Sequence, residues 1–119
     1  MTIAGRYKLV RHGLYEHSGA YTSSSAYLRG DLYYGKDGHL SIMIHFAEVP
    51  ATLKDLLGYV GSYEISGSMV KHHINLSSVA KMNSTIEERD FRLEGSLLYL
   101  SKHLPEGQFE AVWEKYEAH

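Results

Sequence analysis

Apolar and polar residues alternate along most of this chain, and glycines separate the alternating runs. A period of two puts successive side chains on opposite faces of a pleated strand, whereas an amphipathic helix needs apolar residues every three or four positions. The pattern therefore predicts a mainly β protein. Strands are expected over about Ile3 to Arg11, Tyr27 to Tyr34, His39 to Phe46, Tyr59 to Ile65, Met69 to Ser77, Ile86 to Leu93, Ser96 to Ser101 and Gln108 to Tyr116. Turn residues fall between them: Gly35-Lys36-Asp37-Gly38, Ser66-Gly67-Ser68, Glu94-Gly95 and Pro105-Glu106-Gly107. About eight strands close a small antiparallel up-and-down barrel, with a two-sheet sandwich as the alternative.

Two segments break the alternation. Pro50 stands at a first helical position and Gly58 at a C-cap, with Leu53, Leu56 and Leu57 on one face, so one short helix is expected over Pro50 to Leu57. His12 to Ala26 alternates poorly and carries the run Thr22-Ser23-Ser24-Ser25, which reads as a long loop, either a lid or a bare surface connection.

The 119 residues fit one domain over 1–119. A net charge of −2 without a basic block gives nucleic acid no electrostatic footprint. The absence of cysteine excludes disulfides and thiolate chemistry. No apolar run is long enough for a membrane span or a signal peptide, and a cytoplasmic protein is the expectation. Eight histidines raise the question of metal. His72 and His73 point to opposite sides of one strand, however, and His39 and His45 are too far apart, so no metal site is expected. Haem would need one axial histidine in an apolar pocket. His72 is the one that could serve, but no cofactor is expected.

Gly5-Arg6-Tyr7-Lys8-Leu9, Gly30-Asp31-Leu32-Tyr33-Tyr34 running to Asp37-Gly38-His39-Leu40-Ser41, Tyr59-Val60-Gly61-Ser62-Tyr63-Glu64-Ile65, the doublet His72-His73, Arg89, Leu93-Glu94-Gly95-Ser96-Leu97-Leu98-Tyr99-Leu100 and Trp113-Glu114-Lys115 follow one another in order. That succession resembles the lipocalin-like domain family over nearly the whole chain. Tyr7 stands where the family usually has tryptophan, and Val79 to Asn83 replaces a common aromatic-glycine pair. The resemblance implies a calycin-type barrel with a central cavity. It implies no single function.

Strand parity assigns the inside. Val70, His72, Ile74 and Leu76 share one face, and Arg89, Phe91 and Leu93 another. A hairpin around Ala80 to Asn83 would set His72 opposite Arg89 or Asp90, lowering its pKa by burial and like charge. The expected polar interior is Tyr34, Tyr63, His72 and Arg89, against an apolar wall of Leu32, Ile42, Ile44, Phe46, Phe91 and Trp113. The simpler alternative keeps Arg89 at the rim, paired with Glu64, Glu87 or Glu88, and the tyrosines as ordinary core.

Three functions fit this set. The first is a binding module for a small, largely hydrophobic molecule, with an anionic group accommodated by the interior arginine. The second is a cyclase, isomerase or dehydratase of a polyketide- or terpenoid-like substrate. Its catalytic candidates are His72 and Tyr63 for the proton and Arg89 for an oxyanion. The third is a homodimer formed through an outward patch of Val60, Leu98, Leu100 and Val112.

Overall fold

A computed structural model describes residues 2–116. It has nine strands among the described residues: β1 Gly5–Glu16, β2 Tyr21–Ser23, β3 Arg29–Tyr34, β4 His39–His45, β5 Leu56–Ser66, β6 Met69–Ser77, β7 Thr85–Glu94, β8 Leu97–Leu104 and β9 Gly107–Lys115. From β3 to β9 each strand pairs antiparallel with the next, and β1 joins β3 to β9, closing an eight-stranded barrel with β2 as an extra strand. Left-handed glycines make the tightest reversals possible: Gly67 has φ 62° between β5 and β6, and Gly95 has φ 60° between β7 and β8.

Closure depends on β1 serving three neighbours. Its first half pairs with β3 from Gly5↔Tyr34 to Lys8↔Asp31, and its far end pairs with β2 from Gly13↔Ser23 to Tyr15↔Tyr21. Its other edge pairs with β9 along its length, with a bulge between Leu9 and Arg11. The bulge leaves Val10 exposed and reverses parity, so Tyr7 and Leu9 face inward before it and His12 and Leu14 after it. The segment expected as a loop is therefore largely strand: β1 runs to Glu16 and turns back into β2.

A second bulge, at Asn75 in β6, has the same effect. Gly61 pairs with Ile74 but Val60 with Leu76, so Leu76 turns outward, against the sequence reading. The helix expected over Pro50 to Leu57 is reduced to one turn. Thr52 caps a single 3-10 turn over Leu53–Asp55, with a capping box, and Leu56 and Leu57 enter β5 opposite His45 and Ile44. So short a helix lacks the length to offset its nucleation cost, and pairing with β4 takes its last two residues. Of the four outward residues expected to form a dimer patch, only Val60 is exposed; Leu98, Leu100 and Val112 are buried. The run Leu97-Leu98-Tyr99-Leu100 carries no parity signal. It is Tyr99 that faces out, with the Arg92 guanidinium 3.9 Å from its ring centroid.

One end of the barrel is sealed. Ile3 is buried beneath it, its carbonyl accepts the Tyr7 hydroxyl at 2.8 Å, and the Tyr63 hydroxyl donates to the Gly35 carbonyl at 2.6 Å. The Tyr34 ring meets Tyr63 edge-on at 4.7 Å and Tyr7 at 6.4 Å. Above this aromatic floor, Leu32, Leu40, Val70 and Leu98 are fully buried, each contributing about 1.5–3 kcal/mol.

The β5–β6 bulge brings a backbone onto Gly61, where an added Cβ would lie 1.9 Å from the His73 carbonyl oxygen. Gly61→Ala should therefore cost about 3 kcal/mol or more. Gly67→Ala, strained in φ but surrounded by open space, should cost about 1 kcal/mol. Urea denaturation of the two variants checks this; equal losses would contradict the bulge geometry.

Candidate functional site

The interior polar residues lie on neighbouring strands. β6 turns Val70, His72 and Ile74 inward, and β7 does the same for Glu87, Arg89 and Phe91. The register differs from the expected one. His72 pairs with Glu87, and Arg89 with Val70, because the connection from β6 to β7 includes a 3-10 turn at Ala80–Met82 rather than a tight hairpin. His72 and Arg89 thus share the interior without standing opposite each other.

His72 is 2 % exposed and lies between two phenols. The Tyr34 hydroxyl is 2.5 Å from Nε2, and the Tyr59 hydroxyl is 2.7 Å from Nδ1. Burial, reinforced by the Arg89 charge, lowers its pKa to about 3, so the ring is neutral at pH 7. A neutral imidazole has one N–H donor and one acceptor nitrogen. Tyr34 is fully buried in the sealed half and has no other hydrogen-bond partner among the described residues. If Nε2 carried the proton, the Tyr34 O–H would be an orphan donor in a dry site, at a cost of about 1–3 kcal/mol. The favoured arrangement has Tyr34 donating to Nε2 and Nδ1–H donating to the Tyr59 oxygen. The Tyr59 O–H is then left to point at the cavity that this residue lines. Burial raises the Tyr34 hydroxyl well above its ordinary value and the Tyr59 hydroxyl to about 12, so both remain protonated donors.

That cavity has a volume of about 50 Å³. Ile42, Ile44, Leu57, Leu100, Ala111 and Trp113 supply apolar lining, and Tyr59, His72, Arg89 and His12 supply polar lining. The Trp113 Nε1–H is buried and has no partner among the described residues. At the mouth, the His12 ring packs edge-on against Phe46 at 5.4 Å and Phe109 at 4.8 Å, and its Nδ1 lies 2.6 Å from Ser24 Oγ. Burial and the Arg89 charge lower the pKa of His12 to about 4.

Arg89 is held from one side. Its Nη1 donates to Glu87 Oε2 at 3.1 Å and to the Glu88 carbonyl at 2.8 Å, and its guanidinium lies 5.6 Å from the Phe109 ring centroid. Lys102 Nζ also reaches Glu87 Oε2, at 3.4 Å. Burial opposes ionisation of Glu87, but the Arg89 and Lys102 contacts outweigh it and keep its pKa below the usual carboxylate value.

Of the residues read as lining a ligand, Ile42, Ile44, His72, Arg89 and Trp113 meet at this cavity. Tyr34 stands behind His72, Tyr63 belongs to the sealed floor, Phe46 covers the mouth, and Phe91 packs on the core beside Leu100. Two residues at the cavity lie outside the sequence-based set, Tyr59 and His12: Tyr59 shares the parity of Tyr63 and is accessible to the same argument, whereas the Val10 bulge hides His12. Glu87 pairs with Arg89, one of the three partners that the alternative reading of Arg89 names. His73 faces out and bonds Glu64 at 2.9 Å. A larger hollow of about 400 Å³ lies on the outer wall, where β1 parts from β3. It is an open groove, and its carboxylate, Asp31, is already bonded by Arg6 and Tyr116.

The buried histidine makes stability pH-dependent with a definite sign. Its folded pKa is lowered from 6.5 to about 3, so its contribution is complete above pH 6.5 and is lost as pH falls toward 3. Between pH 7.5 and pH 5 this one group should remove about 2 kcal/mol. His72→Gln should lack that share of the slope in urea denaturation; an unchanged slope would contradict a neutral buried ring.

Compared with known protein families and with curated proteins, the chain matches none, and a closed antiparallel β-barrel compatible with a calycin-type fold is what it has been found to be.

Proposed function

We propose that this barrel, of the lipocalin-like kind, is a binding module for a small, partly apolar molecule held in the cavity beside His72. The observation that carries the reading is the cavity itself, in which apolar walls meet the buried Trp113 Nε1–H, a donor with no acceptor among the described residues, and toward which the favoured His72 tautomer turns the Tyr59 O–H. Buried donors without partners are rare and costly, and a ligand oxygen or water relieves them. The volume sets the size. About 50 Å³ holds a few waters or a molecule of about three to six heavy atoms, well under the roughly 300 Å³ at which drug-sized sites begin.

Binding is favoured over turnover by the state of the interior groups. His72 has both ring nitrogens engaged and a pKa near 3, His12 is near 4, and Tyr59 is near 12. A general acid or base works best with a pKa near the operating pH, and none of these has one.

Trp113 is the only tryptophan in the chain, so its indole N–H gives a single NMR signal inside the cavity. Alcohols, amides and carboxylates of three to six heavy atoms are the probes. At least one should shift that signal saturably, and Ala111→Val, whose added methyls fill the cavity, should abolish the shift. If no probe moves the Trp113 signal, the reading fails.

A further inference from the structure

We infer that the cavity selects a short monocarboxylate, its two oxygens taken by the side edge of Arg89 and by the Tyr59 hydroxyl. This inference rests on the interior binding reading and adds to it the chemical class of the ligand. The guanidinium carries the first half of the argument. Arg89 spends only Nη1 on the protein, on Glu87 and on the Glu88 carbonyl. Its Nε and Nη2 make no hydrogen bond among the described residues, and Arg89 lines the cavity. Nε–H and Nη2–H are parallel donors on one edge of the fork, the pair that grips a carboxylate bidentately.

The second half comes from the phenol. With Tyr34 donating to His72 Nε2 and His72 Nδ1–H donating to the Tyr59 oxygen, the Tyr59 O–H is the donor left over at the cavity wall. A carboxylate has lone pairs for three such donors, whereas an alcohol or an ammonium group would bring a further donor into a site already in excess of them. Charge agrees. Arg89 and Lys102 share the single carboxylate of Glu87, leaving the mouth of the cavity with one surplus positive charge. The carboxylate's fourth lone pair is left for the Trp113 Nε1–H, the wall of Ile42, Ile44 and Leu100 accommodates the alkyl end, and the 50 Å³ volume favours a short one.

The test compares sodium propionate with propionamide and 1-propanol, which have similar size and shape, at one ionic strength, with Trp113 fluorescence as the readout. Propionate should bind at least tenfold more tightly than either neutral probe. Arg89→Gln should erase that preference, and Arg89→Lys, which keeps the charge but not the fork, should lose most of it; if Arg89→Gln does not fold, Arg89→Lys decides. Ala111→Val should abolish binding of all three. Equal binding of propionate and propionamide to the wild type, or a preference that survives in Arg89→Lys, overturns the carboxylate assignment while interior binding stands. If no probe binds the wild type, the carboxylate assignment falls, and the wider fragment series at Trp113 decides whether interior binding falls with it.

Discussion

A titratable side chain sealed inside a barrel must have all its hydrogen bonds satisfied by the walls, and in this protein His72 imposes that requirement. Its two ring nitrogens face two phenols from different strands, Tyr34 on β3 and Tyr59 on β5. Because one phenol lies in the dry half and the other at the cavity, the three groups are not equivalent. The dry end can tolerate no unpaired donor, so the unpaired donor is pushed to the cavity end. The polarity of the cavity wall at Tyr59 thus follows from the packing beneath Tyr34.

The barrel makes this arrangement possible by being sealed at one end and hollow at the other. Tyr7, Tyr34 and Tyr63 over Ile3 fill the lower half with rings whose hydroxyls are satisfied internally. The upper half keeps a small void because its residues are shorter or held aside. Ala111 adds little bulk, and Glu87 draws the Arg89 head to one side. The two bulges serve the same end: the one at Val10 rotates His12 into the mouth, and the one at Asn75 lets Tyr59 face Ser77 across the pair.

Much of this is legible in the sequence wherever strands are regular. Alternation alone turns Val70, His72 and Ile74 inward together, and likewise Arg89 and Phe91. It fails where a single extra residue flips the phase, so that alternation alone points Leu76 inward and leaves His12 without a strand. It also fails in uniformly apolar runs, where Leu98 and Leu100 give no phase of their own. Register across the sheet is less legible still, since it depends on the length and shape of each turn. The pairing of His72 with Glu87 rather than Arg89 is set by the 3-10 turn at Ala80–Met82. The apolar face of Leu53, Leu56 and Leu57 misled for a different reason, because local periodicity there competes with an open edge of β4.

The most direct test of this account is the protonation pattern of the His72 ring, read from nitrogen-15 NMR of the histidine side chains. A neutral ring with the proton on Nδ1 and a bare Nε2, unchanged between pH 7.5 and pH 5, is the predicted result. A proton on Nε2, or an imidazolium appearing in that range, would contradict it, because the Tyr59 hydroxyl would then no longer be the donor left facing the cavity.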